Sequence, residues 1–89
     1  GRHGCEDIYI DREEFFLGKN KQQANGIINA RGISRLHARI IREEDTYYIE
    51  DLNSTNGTYL NETPLEYHQK MELCKDDHIR FGGEEYVFY

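Results

Sequence analysis

The 89 residues include no tryptophan, a single proline (Pro64), a single methionine and two cysteines. Each scarcity closes an option. Cys5 and Cys74 form no CxxC pair and no ligand spacing, which excludes a zinc-held scaffold. Two cysteines are also far fewer than a small disulfide-dense secreted domain carries. Reduced thiols in an intracellular protein are therefore expected, with a Cys5–Cys74 cystine as the alternative. No stretch approaches the roughly 18 apolar residues needed to span a bilayer, and no signal-peptide pattern opens the chain. A cytoplasmic protein without membrane insertion is expected. The chain begins at Gly1 in place of Met, which reads as a piece of something longer. Internal repeats, low-complexity tracts and helical periods are missing as well, so solenoids and helix bundles are excluded.

Acidic residues are absent from one long stretch. The net charge is −6, which argues against unaided binding to nucleic acid or to an anionic membrane face. Residues 15–42 nevertheless contain no Asp or Glu, while Lys19, Lys21, Arg31, Arg35, Arg39 and Arg42 supply six positive charges. Taking those six away leaves five basic residues against all 17 acidic ones, a remainder of −12. One part of the chain is poised for an anion.

What is present is β chemistry. Aromatic residues make up 12% of the chain, with seven Tyr and four Phe, and short β-branched or aromatic runs alternate with turn residues. "DIYI" (7–10) and "EFFLG" (14–18) read as strands, followed by a polar stretch holding only "GIIN" as a short one. "LHARII" (36–41) and "TYYIEDL" (46–52) flank a charged turn at 42–45 as a hairpin. "TYL" (58–60) follows the loop "NSTNG", in which Asn56-Gly57 is expected at positive φ. "TPLEYHQ" and "ELCKDD" read as loops with short extended pieces and a core-facing Leu73. "HIRFGGEEYVFY" gives two strands around Gly82-Gly83. Turn signals every 8–12 residues or so point to an all-β sandwich or barrel.

Three loops hold functional residue types: Gly18-Lys19-Asn20, residues 30–35, and residues 53–58. Loops at alternate connections of an antiparallel sandwich share one end, so these three are expected to converge. They offer an ammonium, a guanidinium, hydroxyls, amides and glycine-freed backbone N–H groups, a set suited to a phosphate or carboxylate. A serine hydrolase is the sharper alternative, because "SRLH" pairs Ser34 with His37. On an extended segment, however, the two side chains would stand about 10 Å apart on opposite faces. No G-x-S-x-G elbow is present either. His37 reads as a brace for the loop, and no enzyme activity is expected. His3, His37, His68 and His78 form no metal-ligand spacing, and "DLNSTNG" brings one carboxylate, Asp51, where a calcium loop needs several. Neither metal nor cofactor is expected. Arg39 and Arg42 read as solvated strand-face charges.

Gly18-Lys19, Ser34-Arg35-Leu36-His37, "DLNSTNGTYLN" (51–61) and "KDDHIRFG" (75–82) resemble, in order and spacing, the four signature blocks of the forkhead-associated (FHA) domain. The resemblance spans about residues 8–89, leaving 1–7 as an N-terminal extension. It implies a mainly antiparallel β-sandwich of about eleven strands whose loops at one end bind a phosphothreonine peptide. Carried over by position, Lys19 and Ser34 would contact the phosphate, Arg35 and Thr55 would line its pocket, and Asn56 would hold the peptide backbone. Arg31 and Gly32 would lie where the residue about three after the phosphothreonine is read, and Gly18, His37 and Gly57 would be structural. The family's usual arginine is Lys19 here, which keeps the charge and loses the planar fork. Its usual turn glycine is Asp76.

The resulting expectation is a non-catalytic phosphothreonine-peptide module of a larger intracellular signalling protein, monomeric as an isolated domain. Its partner would be the product of a Ser/Thr kinase. The alternative is a phosphate-independent assembly domain with the same fold.

Overall fold

The computed structural model describes residues 8–89. Cys5, His3, the extension 1–7 and the first residue of "DIYI" lie outside them, and with Cys5 the question of a cystine. Cys74 is an exposed free thiol.

The described residues form nine strands and no helix: β1 Glu14–Gly18, β2 Gly26–Ile27, β3 Ala38–Glu43, β4 Thr46–Asp51, β5 Thr58–Leu60, β6 Thr63–Pro64, β7 Met71–Leu73, β8 His78–Phe81 and β9 Glu84–Val87. One sheet has the order β2-β1-β3-β4-β7 and the other β6-β5-β8-β9. Only β1 and β2 run parallel; every other pairing is antiparallel. This is the sandwich that the alternating pattern demands. Nine strands are described where about eleven were expected, and "DIYI" accounts for part of the difference. Ile8 and Ile10 are half-buried and Tyr9 is exposed, as in a strand, yet residues 8–10 are not in one.

The period of two sets which side chains face inward. Phe15 and Leu17 of β1, Ile40 of β3, Ile49 of β4 and Leu73 of β7 meet Leu60, Ile79 and Phe81 from the second sheet, all of them buried. Ile28 and Ile33 close the core from the loop between β2 and β3. That pair of anchors matters for function, because it pins a segment that carries Arg31, Gly32 and Ser34 between them and just beyond.

Turn chemistry sets the hairpins. β3 and β4 pair from Ala38↔Asp51 to Glu43↔Thr46, so the turn is Glu44-Asp45, tighter than expected, with Glu44 at φ 58°. β8 and β9 join through Gly82 and Gly83, and Gly82 takes φ 58°. Asp76 stands at φ 74°, where the family's glycine would sit without strain; Asp is among the few residues that tolerate this region. The Asp77 carboxylate accepts from Cys74 N at 2.8 Å and Asp76 N donates to Phe88 O at 2.7 Å, which fixes that turn at the end away from the loops of interest.

Candidate functional site

The loops do converge. Lys19 N donates to Ser34 O at 3.0 Å and Asn20 N to Arg35 O at 3.2 Å, which ties the end of β1 to the approach of β3. Gly18 permits this contact: a Cβ built there would stand 1.9 Å from Arg35 O, so no side chain fits. Thr55 N donates to Ser34 Oγ at 3.0 Å, and Asn56 Nδ2 donates to Gly32 O at 2.9 Å. A fourth loop, overlooked in the sequence, joins them. Gly82 N donates to Gly57 O at 3.0 Å, and a Cβ on Gly82 would meet Gly32 O at 3.3 Å and Asn56 Cβ at 3.6 Å. The turn between β8 and β9 therefore lies against both Gly32 and Asn56.

His37 holds the centre. It is fully buried, with its ring edge on Phe81 at 5.8 Å between centroids. Ser34 N donates to Nδ1 at 3.1 Å, so Nε2 carries the proton and donates to Gly57 O at 2.8 Å. The ring thus bolts two site loops together. The extended geometry expected between Ser34 and His37 does not hold, because the chain bends at residues 35 and 36 and the ring folds back toward Ser34. Proximity gives no catalytic pair, however. Both ring nitrogens are committed to backbone groups, and Ser34 Oγ faces Thr55 N. With one lone pair taken by that N–H, the Ser34 hydroxyl keeps its proton and a second lone pair for another partner.

Residues 52–57 owe their shape to Asp51, a residue the sequence reading dismissed with the calcium loop. Its buried carboxylate accepts from Ser54 N at 3.0 Å, Ser54 Oγ at 2.6 Å and Thr58 Oγ1 at 2.6 Å. Ser54 Oγ in turn accepts from Gly57 N at 3.0 Å. The signal was present: Asp followed three positions later by Ser is the spacing of a side-chain-capped turn. The positive φ values fall on Asn53 (60°) and Gly57 (87°) and not on Asn56, because the Asp51 cap turns the chain at Asn53. Thr55 and Asn56 are left exposed at the tip.

The charges at this end are uncompensated. Lys19, Arg31 and Arg35 are exposed and have no ion pair among the described residues, and the same holds for Lys21. Arg39 differs. It bonds Glu50 at 2.7 Å and also reaches Glu14, and the Glu50 carboxylate holds its pKa above the ordinary arginine value. It is a paired strand-face charge, unavailable to a ligand. Arg42 is exposed near the β3–β4 turn, remote from the site. An apolar cleft of about 260 Å³ is lined by core residues such as Leu17, Ile40 and Phe81; it offers nothing to an anion. No group of three or more His, Cys, Asp or Glu among the described residues is placed to hold a metal, and no helix among them is long and apolar enough to cross a membrane.

What the arrangement can do follows from its donors. The converging loops carry the Ser34 hydroxyl, the Lys19 ammonium, the Arg35 guanidinium and the Asn56 amide, and the Asp51 carboxylate that shapes residues 52–57 is buried with three donors of its own. Such a site takes an anion with several acceptor oxygens.

Comparison with known proteins places this geometry. The family model described as FHA domain matches residues 1–82. Protein FraH of Nostoc sp. is 40% identical over 65 residues, covering 73% of this chain and 22% of FraH. The nuclear inhibitor of protein phosphatase 1 of Homo sapiens is 31% identical over 81 residues, covering 88% of this chain and 23% of the inhibitor. The chain thus spans less than a quarter of these relatives. A solved structure from work on phosphothreonine-dependent FHA domain interactions superposes with a TM-score of 0.84 at 30% identity, covering 96% of this chain and 85% of that one.

Proposed function

Because the chain belongs to the FHA domain family, we propose that it is a phosphopeptide-binding module that recognises phosphothreonine-containing segments of a partner protein. The domain would extend over residues 8–89 and act, without catalysis, within a larger intracellular signalling protein. The observation that carries the reading is the Ser34 hydroxyl. Thr55 N occupies its acceptor side, Lys19 and Arg35 are exposed around it without carboxylate partners among the described residues, and His37 fixes its backbone from behind.

In this reading Lys19 and Ser34 contact the phosphate, whose charge near neutral pH is roughly −1.5 to −2 with three acceptor oxygens. Arg35 and Thr55 line the pocket. Asn56 keeps its carbonyl oxygen and one amide hydrogen for the peptide backbone, the other hydrogen being spent on Gly32 O. Arg31 and Gly32 face the residue about three positions after the phosphothreonine. Gly18, His37 and Gly57 support the site.

Calorimetric titration with a threonine-phosphorylated peptide library, its unphosphorylated counterparts and phosphoserine versions tests the proposal. Binding that needs the phosphate and prefers phosphothreonine is the expected result. Equal binding of unphosphorylated peptides would sink it in favour of a phosphate-independent assembly domain. Lys19 gives that rival its weight, because a point charge replaces the family's planar fork.

A further inference from the structure

The basic residues of positions 8–89 divide into two populations. Arg12 pairs with Asp11, Arg39 with Glu50 and Glu14, Lys70 with Glu43, and Arg80 with Glu62. Arg42 and Lys75 are followed directly by acidic neighbours, Glu43 and Asp76. The four cations of the site loops, Lys19, Lys21, Arg31 and Arg35, have neither: no ion pair among the described residues, and no Asp or Glu anywhere in residues 15–42. One phosphate of about −2 charge leaves roughly half of that positive charge unmatched.

The excess is not spread evenly. Arg31 precedes Gly32, which Asn56 grips. Lys19, Lys21 and Arg35 stand on the other flank of Ser34, on two segments joined by the Lys19 N–Ser34 O and Asn20 N–Arg35 O bonds. Lys21 is not on a loose loop. Asn20 O accepts from Ala24 N at 2.9 Å and from Gln23 N at 3.3 Å, and Asn20 Oδ1 accepts from Gln22 N at 2.9 Å, so the residues around Lys21 form one closed turn. Farther along, Asn25 Oδ1 accepts from Phe16 N at 2.9 Å and anchors that turn to β1.

We infer that Lys21, together with Lys19 and Arg35, forms a second anion subsite that takes a further acidic group of the same peptide, N-terminal to the phosphothreonine. The inference rests on the phosphothreonine reading and narrows its ligand class to segments that are acidic or doubly phosphorylated on that side. The direction follows from the reading itself: if Arg31 and Gly32 face residues after the phosphothreonine, Lys21 flanks those before it.

The test uses fluorescence anisotropy on four peptides: a single phosphothreonine peptide, the same peptide with two Asp residues within three positions before the phosphothreonine, the same with a second phosphate there, and one with the Asp pair placed after it. The expected result is tightening of about fivefold by the preceding Asp pair and about tenfold by the second phosphate, as exposed and charge-assisted pairs allow. The gain should shrink as salt is raised through the range where the Debye length falls below about 10 Å. In Lys21→Ala the ratio between acidic and plain peptides should fall to about twofold or less, and in Lys21→Glu it should invert, while Arg31→Ala leaves it alone. No gain from preceding acid, or a gain that survives Lys21→Glu, overturns the inference and leaves phosphate-dependent binding standing. Loss of all phosphate dependence in the unmodified chain overturns the phosphothreonine reading itself.

Discussion

Replacing His37 by alanine separates a scaffold role from a ligand-contacting one. The ring is fully buried and serves Ser34 N at 3.1 Å and Gly57 O at 2.8 Å. Truncation leaves Ser34 N without a partner inside the protein, at about 1–3 kcal/mol. Gly57 O keeps its bond from Gly82 N at 3.0 Å, so losing the ring there costs about 0.5–1.5 kcal/mol, and the lost ring-edge contact with Phe81 adds about 0.5–1.5 kcal/mol. The total, on the order of 2–6 kcal/mol, is a large share of the roughly 5–15 kcal/mol that holds a domain together. For this size of domain it corresponds to a fall in melting temperature of at least about 8 °C. Urea titration followed by circular dichroism should show the midpoint drop with little change in slope. Ser34→Ala, by contrast, removes one exposed acceptor for Thr55 N and should cost about 1 kcal/mol or less. The reasoning fails if His37→Ala keeps its stability within about 1 kcal/mol of the parent and still loses phosphopeptide binding, because the ring would then have to touch the ligand.

Asp51→Ala strips a buried acceptor from three donors and should destabilise by about 3 kcal/mol in chemical denaturation; Asp51→Asn, which keeps the shape, should cost less. Ser34→Ala and Arg35→Ala should each weaken phosphothreonine-peptide binding about tenfold or more in calorimetry, with melting temperatures within a few degrees of the parent. Lys19→Arg restores a bidentate fork at a position whose backbone is already tied to Ser34 O, and should tighten binding by a few-fold. Gly18→Ala should fail to fold stably, judged by thermal melting, since its Cβ would lie 1.9 Å from Arg35 O.

The fold was most legible where strand pattern and turn chemistry agreed. "LHARII" and "TYYIEDL" alternate apolar and polar residues across a charged turn, and they pair over six residue positions as β3 and β4. The glycine pair of "HIRFGGEEYVFY" marks the β8–β9 turn for a conformational reason, the positive φ of Gly82. β6 and β7 were visible only as loops with extended pieces. Strands of two and three residues have too little sequence to show a period, and they exist because β5 and β4 offer them a ladder. "DIYI" erred in the opposite sense. Its alternation records which side chains meet the core, with Ile8 and Ile10 packed against it, and burial of one face does not require ladder hydrogen bonds.

The site was legible in its chemistry and less so in its supports. The residues proposed to meet the anion, Lys19, Ser34, Arg35, Thr55 and Asn56, could be named from residue type and from their positions in the family's motif. Supports are recognised by what they touch, and touching is tertiary. His37 could be read as a brace, yet the bend that brings its ring to Ser34 N was hidden, and Asp51 looked like an incomplete metal ligand until its three donors were seen. The division carries a physical consequence for recognition. Asp51 is spent on hydroxyls and backbone and Glu50 on Arg39, while Lys19, Arg31 and Arg35, at the end where the site loops meet, are exposed with no ion pair among the described residues. An approaching acidic segment is drawn to that end and repelled from the rest, and the charge arrangement then contributes more to encounter and orientation than to the final contact.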